Sequence, residues 1–300
     1  MRLASLSCAV VLSSEIFDRV TRARLHPHRP PCYSAGGDGC DPQHLDDGAP
    51  RMKPHRYPRM EALTPATHTG VVREIFSTVF GRYDLLNHLL SVRRDVGWRA
   101  VTTACMRFPR TKRFLDVATG TADLAIDAAR RHPEIRVTGI DFAAPMLAVG
   151  RRKVARARLA DRIDLREADA MALPFPDGSF DVSAVAFGMR NMPDKRRALS
   201  EMSRVTAPGG LVMVLEMTFM VRGPFRRLYG LYLSHILPRL ARLFLPDAAT
   251  YYYLGDSIRH FPPPEDFAAL MRRAGLVAVR YHRLTFGTAY LHIGRTPGGL

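Results

Sequence analysis

The sequence predicts a doubly wound α/β fold, a mostly parallel seven-stranded sheet with helices on both faces and an N-terminal helical cap. Three observations carry this. From residue 113 onward short apolar runs alternate with segments of helical periodicity, a pattern that feeds successive parallel strands through right-handed crossovers. The first three runs end at or beside an acid followed by a loop of small residues, the usual place for a ligand in an open parallel sheet. The 300 residues, 47% of them hydrophobic, suffice for a packed core.

The elements follow in order. Val72, Ile75, Phe76, Val79 and Phe80 recur at helical spacing, and Leu85, Leu86, Leu89 and Leu90 continue an apolar face through a second segment. These form the cap. Residues 113–117 read as the first strand, and Leu124, Ala125, Ala128 and Ala129 mark the helix behind it. Residues 136–141 are the second strand, with Pro145 opening the next helix. Residues 163–166 and 180–187 are the third and fourth. Asp194 caps a helix carrying Leu199, Met202 and Val205 on one side. Pro208-Gly209-Gly210 turns the chain into a fifth strand, 211–216. Phe267, Leu270, Met271 and Ala274 form a helix ending at Gly275, and strands around 277–281 and 288–293 complete the sheet. Residues 1–65, dense in Pro, Gly, Asp and His, read as a disordered or spuriously included extension, with Met52 or Met60 as alternative starts. Residues 66–300 are the domain.

Composition excludes several classes. No apolar run reaches the roughly 20 residues of a membrane span, and the best, 211–221, is interrupted by Glu216. The apolar patch Ala9–Leu12 is too short for a signal peptide, since Glu15 and Asp18 follow at once. Cytoplasmic placement, with the option of the inner membrane face, is the expectation. Four cysteines (Cys8, Cys32, Cys40, Cys105) form no CxxC pair, so no metal site is expected. The net charge is +16, and residues 1–68 contribute nine basic and seven acidic residues, so the basicity belongs to the folded body. It is almost entirely arginine, with lysine only at Lys53, Lys112, Lys153 and Lys195. Such a surface suits RNA, anionic lipid or an anionic substrate without choosing among them.

The loop after the first strand, Asp116 to Asp123, narrows the ligand. Ala118, Gly120 and Ala122 let a ligand approach the backbone, but the GxGxxG spacing of a dinucleotide site is absent. Asp123 at the helix mouth would repel a phosphate, and Asp116 brackets the same loop. Two acids around small residues suit a cationic, phosphate-free nucleoside, S-adenosylmethionine. Asp141, ending the second strand, is placed to accept from both ribose hydroxyls, and Asp169-Ala170 after the third to hold the adenine amino group.

From about Val71 to Arg295 the chain resembles the C-methyltransferases of menaquinone and ubiquinone biosynthesis. The segments that carry the resemblance are 80–87 (FGRYDLLN), 115–123 (LDVATGTAD), 172–177 (ALPFPD), 187–191 (FGMRN) and 251–258 (YYYLGDSI). The resemblance implies a class I, Rossmann-like methyltransferase fold and cofactor contacts at Thr121, Asp141, Asp169 and Ala170. Two departures stand out: Ala122 where a glycine is usual, which crowds the methionine end, and Ala186 where some members carry serine. The implied reaction methylates a ring carbon of a prenylated quinol, with demethylmenaquinol first and a ubiquinone-pathway benzoquinol second. Deprotonation of a ring hydroxyl makes the carbon nucleophilic, and fixed positive charge near the phenolate lowers the barrier by about 3–4 kcal/mol per donor. Arg190 and Asn191 are the candidates for that task, and Tyr83 and Asp84, on the cap, for substrate contact. His88 and His235 are possible bases, although a lone histidine is more often structural.

Residues 221–246 hold five arginines and no acid among leucines and aromatics, a stretch suited to a membrane interface or to roofing an isoprenoid pocket. A homodimer is compatible with the resemblance. An RNA methyltransferase is a rival raised by the charge. However, the Asn/Asp-Pro-Pro-aromatic signature of base amino-group methylation is absent where Phe187-Gly188-Met189-Arg190-Asn191 stands, so no nucleic-acid partner is expected. A non-catalytic cofactor- or quinone-binding scaffold is the other rival.

Overall fold

The computed structural model describes residues 90–218 and 257–298, together with positions 70, 87, 88, 230–236 and 255. The chain divides into two units, Met1–Lys53 and Pro54–Leu300, and every described residue lies in the second. The extension expected over 1–65, most of the helical cap and most of the basic stretch 221–246 fall outside the described residues.

Helix α1 (Arg94–Cys105) precedes strand β1 (Arg113–Val117). Then come α2 (Asp123–Arg131), β2 (Arg136–Asp141), α3 (Ala144–Arg156), β3 (Ile163–Glu167) and β4 (Phe180–Ala186). A one-turn 3₁₀ segment, Met189–Asn191, leads to α4 (Lys195–Val205) and β5 (Thr206–Met217). Helix α5 (Pro264–Arg273) and the hairpin β6 (Val277–Leu284) and β7 (Ala289–Arg295) follow. The seven strands lie in the order β3-β2-β1-β4-β5-β7-β6. All neighbours are parallel except β7, which runs antiparallel to β5 and β6.

Alternating strand residues divide into two cores. Phe114, Val137, Leu165, Val182, Ala184, Met213 and Leu215 point to one face and pack with Trp98, Leu124, Ala125 and Leu147 of α1, α2 and α3. Leu115, Val117, Ile140, Val185, Val212 and Val214 point to the other and meet Leu199, Met202, Phe267 and Met271 of α4 and α5. The inner strands are consequently buried over nearly their whole length, while β3 and β6 at the edges alternate with exposed positions.

The local chemistry agrees with the spacing. The Asp194 carboxylate accepts the Arg197 N–H at 2.9 Å and caps α4 as expected. The chain leaves α5 through Gly275 at φ +91°, the left-handed cap that glycine adopts without steric cost. One expectation needs correction. Pro208-Gly209-Gly210 does not precede β5 but lies within it, as an irregularity where pairing with β4 slips from Phe180↔Thr206 to Val182↔Leu211. Gly210 makes the slip possible, because a Cβ there would sit 2.6 Å from the Asp181 carbonyl oxygen. Among the described residues no helix is long and apolar enough to cross a membrane.

Candidate active site

The loops at the carboxyl ends of β1, β2, β3 and β4 enclose a cavity of about 300 Å³. Ala118 and Gly120 come from the first loop, Asp141 and Phe142 from the second, Glu167 to Met171 from the third, and Phe187, Gly188 and Asn191 to Pro193 from the fourth. Ile140 and Met146 complete the lining. Among the described lining residues, Asp141, Glu167 and Asp169 are acids and none is basic.

The first loop owes its shape to three left-handed residues, Ala118 at φ +53°, Gly120 at +55° and Ala122 at +67°. For the two alanines this conformation costs about 1–2 kcal/mol each, so surrounding contacts must hold it. They are on hand. Thr119 N–H donates to the Ile140 carbonyl at 2.8 Å and its hydroxyl donates to Asp116 at 2.6 Å. Asp116 is thus an internal tie: buried, behind the loop and outside the lining. Burial pushes its carboxyl up to about 7, against the pull of the Thr119 hydroxyl and the Ala125 N–H, with Asp141 and Asp123 adding to the rise.

Asp141 sits one layer further out. It accepts N–H bonds from Gly120 and Ala143, both at 2.9 Å, so one side chain joins the first two loops. Desolvation raises it to about 6 despite these bonds. The Phe142 N–H also bonds to this carboxylate, whose remaining acceptor capacity suits ribose hydroxyls. Asp169 is exposed at the rim, accepting the Met171 N–H at 2.8 Å. The first and fourth loops meet at Gly188, where a Cβ would lie 2.7 Å from the Ala118 Cβ. Phe187 holds φ +61° and donates its N–H to the Leu215 carbonyl at 2.8 Å.

The structure brings Ala118, Gly120, Asp141, Asp169, Ala170 and Asn191 to one cavity and leaves Asp116, Thr121 and Arg190 behind it. Thr121 is buried and accepts from Lys153 Nζ at 3.1 Å. Arg190 is buried too, its guanidinium paired with Glu216. Tyr83 and Asp84 lie outside the described residues. Asp123 needs correction: it is ion-paired with Lys153 and lies 3.8 Å from Arg99, so its charge is locally balanced and does not wall the cavity. Ala122 is fully buried in the core; its departure from glycine is a matter of backbone conformation, and it does not crowd the cavity. His88 Nδ1 is 3.0 Å from Asp95, which also binds Ser91 and Arg99, a link within the α1 end of the molecule.

Glu167, Phe142 and Glu216 escaped the sequence reading. Glu167 carried a signal, as the last residue of a strand in the site-forming half of the sheet. Glu216 carried another, as the one acid in the apolar run of β5.

The donor set fits S-adenosylmethionine. Apolar walls from Ile140, Phe142, Met146 and Met171 suit a planar heterocycle, Asp141 suits a ribose diol, and a lining that among the described residues holds three acids and no cation suits a sulfonium and disfavours a diphosphate.

Residues 64–296 match the ubiE/COQ5 methyltransferase family. A demethylmenaquinone methyltransferase of Thermus thermophilus is 48% identical over 225 residues, covering 74% of this chain and 100% of the relative. A ubiquinone/menaquinone biosynthesis C-methyltransferase UbiE of Geobacter sulfurreducens is 42% identical over 224 residues, 74% of this chain and 87% of the relative. Among solved structures, an O-methyltransferase family protein from Burkholderia thailandensis superposes with a TM-score of 0.55 at 18% identity. It covers 78% of this chain and 69% of that one, a likeness of fold.

Proposed function

Since the chain belongs to the ubiE/COQ5 methyltransferase family and is an S-adenosylmethionine-dependent methyltransferase, we propose that it methylates a ring carbon of a prenylated quinol, demethylmenaquinol in menaquinone biosynthesis. The observation that carries the reading is the full-length match to the Thermus demethylmenaquinone methyltransferase, and the acid-lined cavity supports it.

When bound, S-adenosylmethionine supplies an electrophilic methyl group on a positively charged sulfur. The chain's own residues supply the rest. Asp141 orients the nucleoside through its ribose, and Asp169 with Ala170 receives the adenine at the rim. Asn191, facing the cavity from the turn after β4, is assigned to a ring oxygen of the quinol. Arg190, in that turn, is paired with Glu216, and Lys195, whose ammonium feels the Glu216 charge, donates from Nζ to the Met192 carbonyl at 3.0 Å. With Lys195 protonated the group carries one net positive charge, which favours the phenolate whose charge flows to the ring carbon. Transfer would form the ring C–CH3 bond as the S–CH3 bond breaks, with the ring proton at that carbon then lost to restore aromaticity; it asks for the carbon to stand in line with the methyl at roughly 3–3.5 Å. Tyr83 and Asp84 are assigned to the outer side of the substrate on the strength of the resemblance.

Incubation with methyl-labelled cofactor and reduced demethylmenaquinone, beside its benzoquinone counterpart, tests the reading. Label on the naphthoquinol carbon supports it; label on the benzoquinol alone moves the substrate to the ubiquinone pathway. For the basic stretch 221–246 we propose contact with an anionic membrane surface, where the substrate resides. Flotation with anionic vesicles at low salt tests it, and failure to float overturns it.

A further inference from the structure

Glu216 is the odd residue of β5. It is fully buried in an otherwise apolar stretch of the strand, at the end next to the cavity. One of its oxygens accepts the Arg190 N–H at 3.1 Å. The other accepts the Met217 N–H at 2.9 Å and pairs with the Arg190 guanidinium. A single carboxylate therefore grips both the backbone and the side chain of the Met189–Asn191 turn and ties them to the strand beside it. At the far end of the turn Lys195 holds the Met192 carbonyl at 3.0 Å; burial pulls its ammonium down and the Glu216 charge opposes that pull. Between these two clamps sit Asn191 and Met192, both in the cavity lining.

Such an arrangement is a poor way to gain stability alone. An apolar pair of similar volume is commonly as stable as a buried ion pair or more so, whereas geometry is what a buried carboxylate with directed bonds specifies. Nothing in the sheet requires an acid at this point, since Glu216 pairs in register with Tyr290 as any residue could. What the acid does reach is the turn that faces the cavity.

We propose that Glu216 is a positioning residue, its carboxylate fixing the Met189–Asn191 turn so that Asn191 meets the ring oxygen of the acceptor in line with the methyl donor. The inference rests on the quinol-methylation reading for the identity of that acceptor, and on the structure alone for the clamp. A misplaced turn leaves Asp141 and the nucleoside end intact, so the loss falls on the reacting geometry.

The full chain is compared with Glu216→Gln and with the double substitution Arg190→Met/Glu216→Leu, which replaces the pair by apolar side chains. Trp98, the chain's one tryptophan, has its ring 6.1 Å from that of Phe187, two residues before the turn, so its emission and quenching report the segment that leads into the turn without any substrate. Glu216→Gln is expected to shift Trp98 emission and lower kcat at least 30-fold. The cofactor Kd by calorimetry and the quinol KM both stay within threefold. The apolar pair is expected to fold, bind cofactor and stay at least 30-fold slow. Near wild-type kcat in the apolar pair overturns the proposal, as does a loss of cofactor affinity in Glu216→Gln matching its loss of rate. If the wild-type chain methylates neither quinol, the substrate reading has failed by itself. The clamp is then judged on Trp98, and unchanged emission and quenching in Glu216→Gln overturn it.

Discussion

Asp141→Asn separates what this carboxylate does for the cofactor from what it costs the fold. In the free protein the carboxylate is buried, with N–H bonds from Gly120 and Ala143, and its pKa is raised from 3.8 to about 6. That rise corresponds to roughly 3 kcal/mol against the ionised form at neutral pH. The carboxamide removes this penalty but can accept only one of the two N–H groups well. The stranded donor costs about 1–3 kcal/mol. The two effects nearly offset, and the thermal midpoint of the cofactor-free variant is expected within a few degrees of wild type at pH 7.5. Cofactor binding has no such offset. Two hydrogen bonds from ribose hydroxyls to a charged acceptor are worth about 1.5–3 kcal/mol each, and the amide recovers one neutral bond of about 1 kcal/mol. The net loss is about 3 kcal/mol, on the order of 100-fold in Kd.

The same carboxylate sets a pH dependence. Wild-type affinity should rise as pH passes through about 6, where Asp141 ionises, and Asp141→Asn should flatten that limb. Asp116 ionises nearby, at about 7, so Asp116→Asn serves as the control that keeps the Asp141 limb. Calorimetric titrations between pH 5.5 and 8.5 read both. If Asp141→Asn binds S-adenosylmethionine with wild-type affinity and an unaltered profile, the nucleoside is held elsewhere and the geometry assigned to this cavity is wrong.

Other consequences follow from individual contacts. Gly188→Ala places a Cβ 2.7 Å from the Ala118 Cβ, an atom that cannot swing aside, so the two loops must part. At least a tenfold loss of cofactor affinity is expected by calorimetry. Asp181 accepts the N–H groups of Arg110, Thr111 and Lys112 from its buried position, and Asp181→Ala should cost about 3 kcal/mol in urea denaturation without changing the cavity. Burial in β7 lowers His292 from 6.5 to about 4. It binds protons more readily unfolded than folded, so its contribution to stability is whole above about pH 6.5 and is lost as pH falls toward 4. In thermal scans from pH 8 to 4, His292→Phe should decline less steeply than wild type. Asp116 and Asp141 act in the opposite sense: held above their ordinary values, they stabilise the cofactor-free fold at low pH and lose that contribution as pH rises through about 6 and 7.

The sheet was legible because its strands are buried on both faces and stand out as apolar runs, with caps such as Asp194 and Gly275 written in residue type. The slip at Pro208–Gly210 was not, because a Pro-Gly-Gly run has the same composition whether it turns the chain or bulges a strand. Asp141 and Asp169 could be placed at the cavity because strand ends are legible in apolar runs, and Asn191 because it closes the segment Phe187–Asn191 that carries the resemblance. Asp116 and Thr121 were expected at the cavity and stand behind it. Position along the loop does not tell which way each side chain turns, and the left-handed residues at 118, 120 and 122 decide that. Lys153 sits on α3, 30 residues from the Asp123 that it neutralises, a distance over which no local pattern reports a pairing.

Depth below the cavity sorts the acids by task, and this changes the electrostatic argument for the cofactor. Asp116 lies deepest, and with its carboxyl raised to about 7 it is only partly charged near neutrality. Asp123 is compensated by Lys153 and Arg99. The field that favours a sulfonium therefore comes from Asp141 and from Glu167 and Asp169 at the rim, with no cation among the described lining residues. Discrimination against a diphosphate follows from the same three groups and from the absence of a glycine-rich helix mouth open to phosphate. Neutralising Asp116 or Asp123 should leave the preference for a cationic nucleoside intact, whereas neutralising Glu167 and Asp169 together should narrow it. Competition between S-adenosylmethionine and its demethylated product, whose sulfur is uncharged, reads that preference, and an unchanged ratio in Glu167→Gln/Asp169→Asn would place its origin outside this cavity.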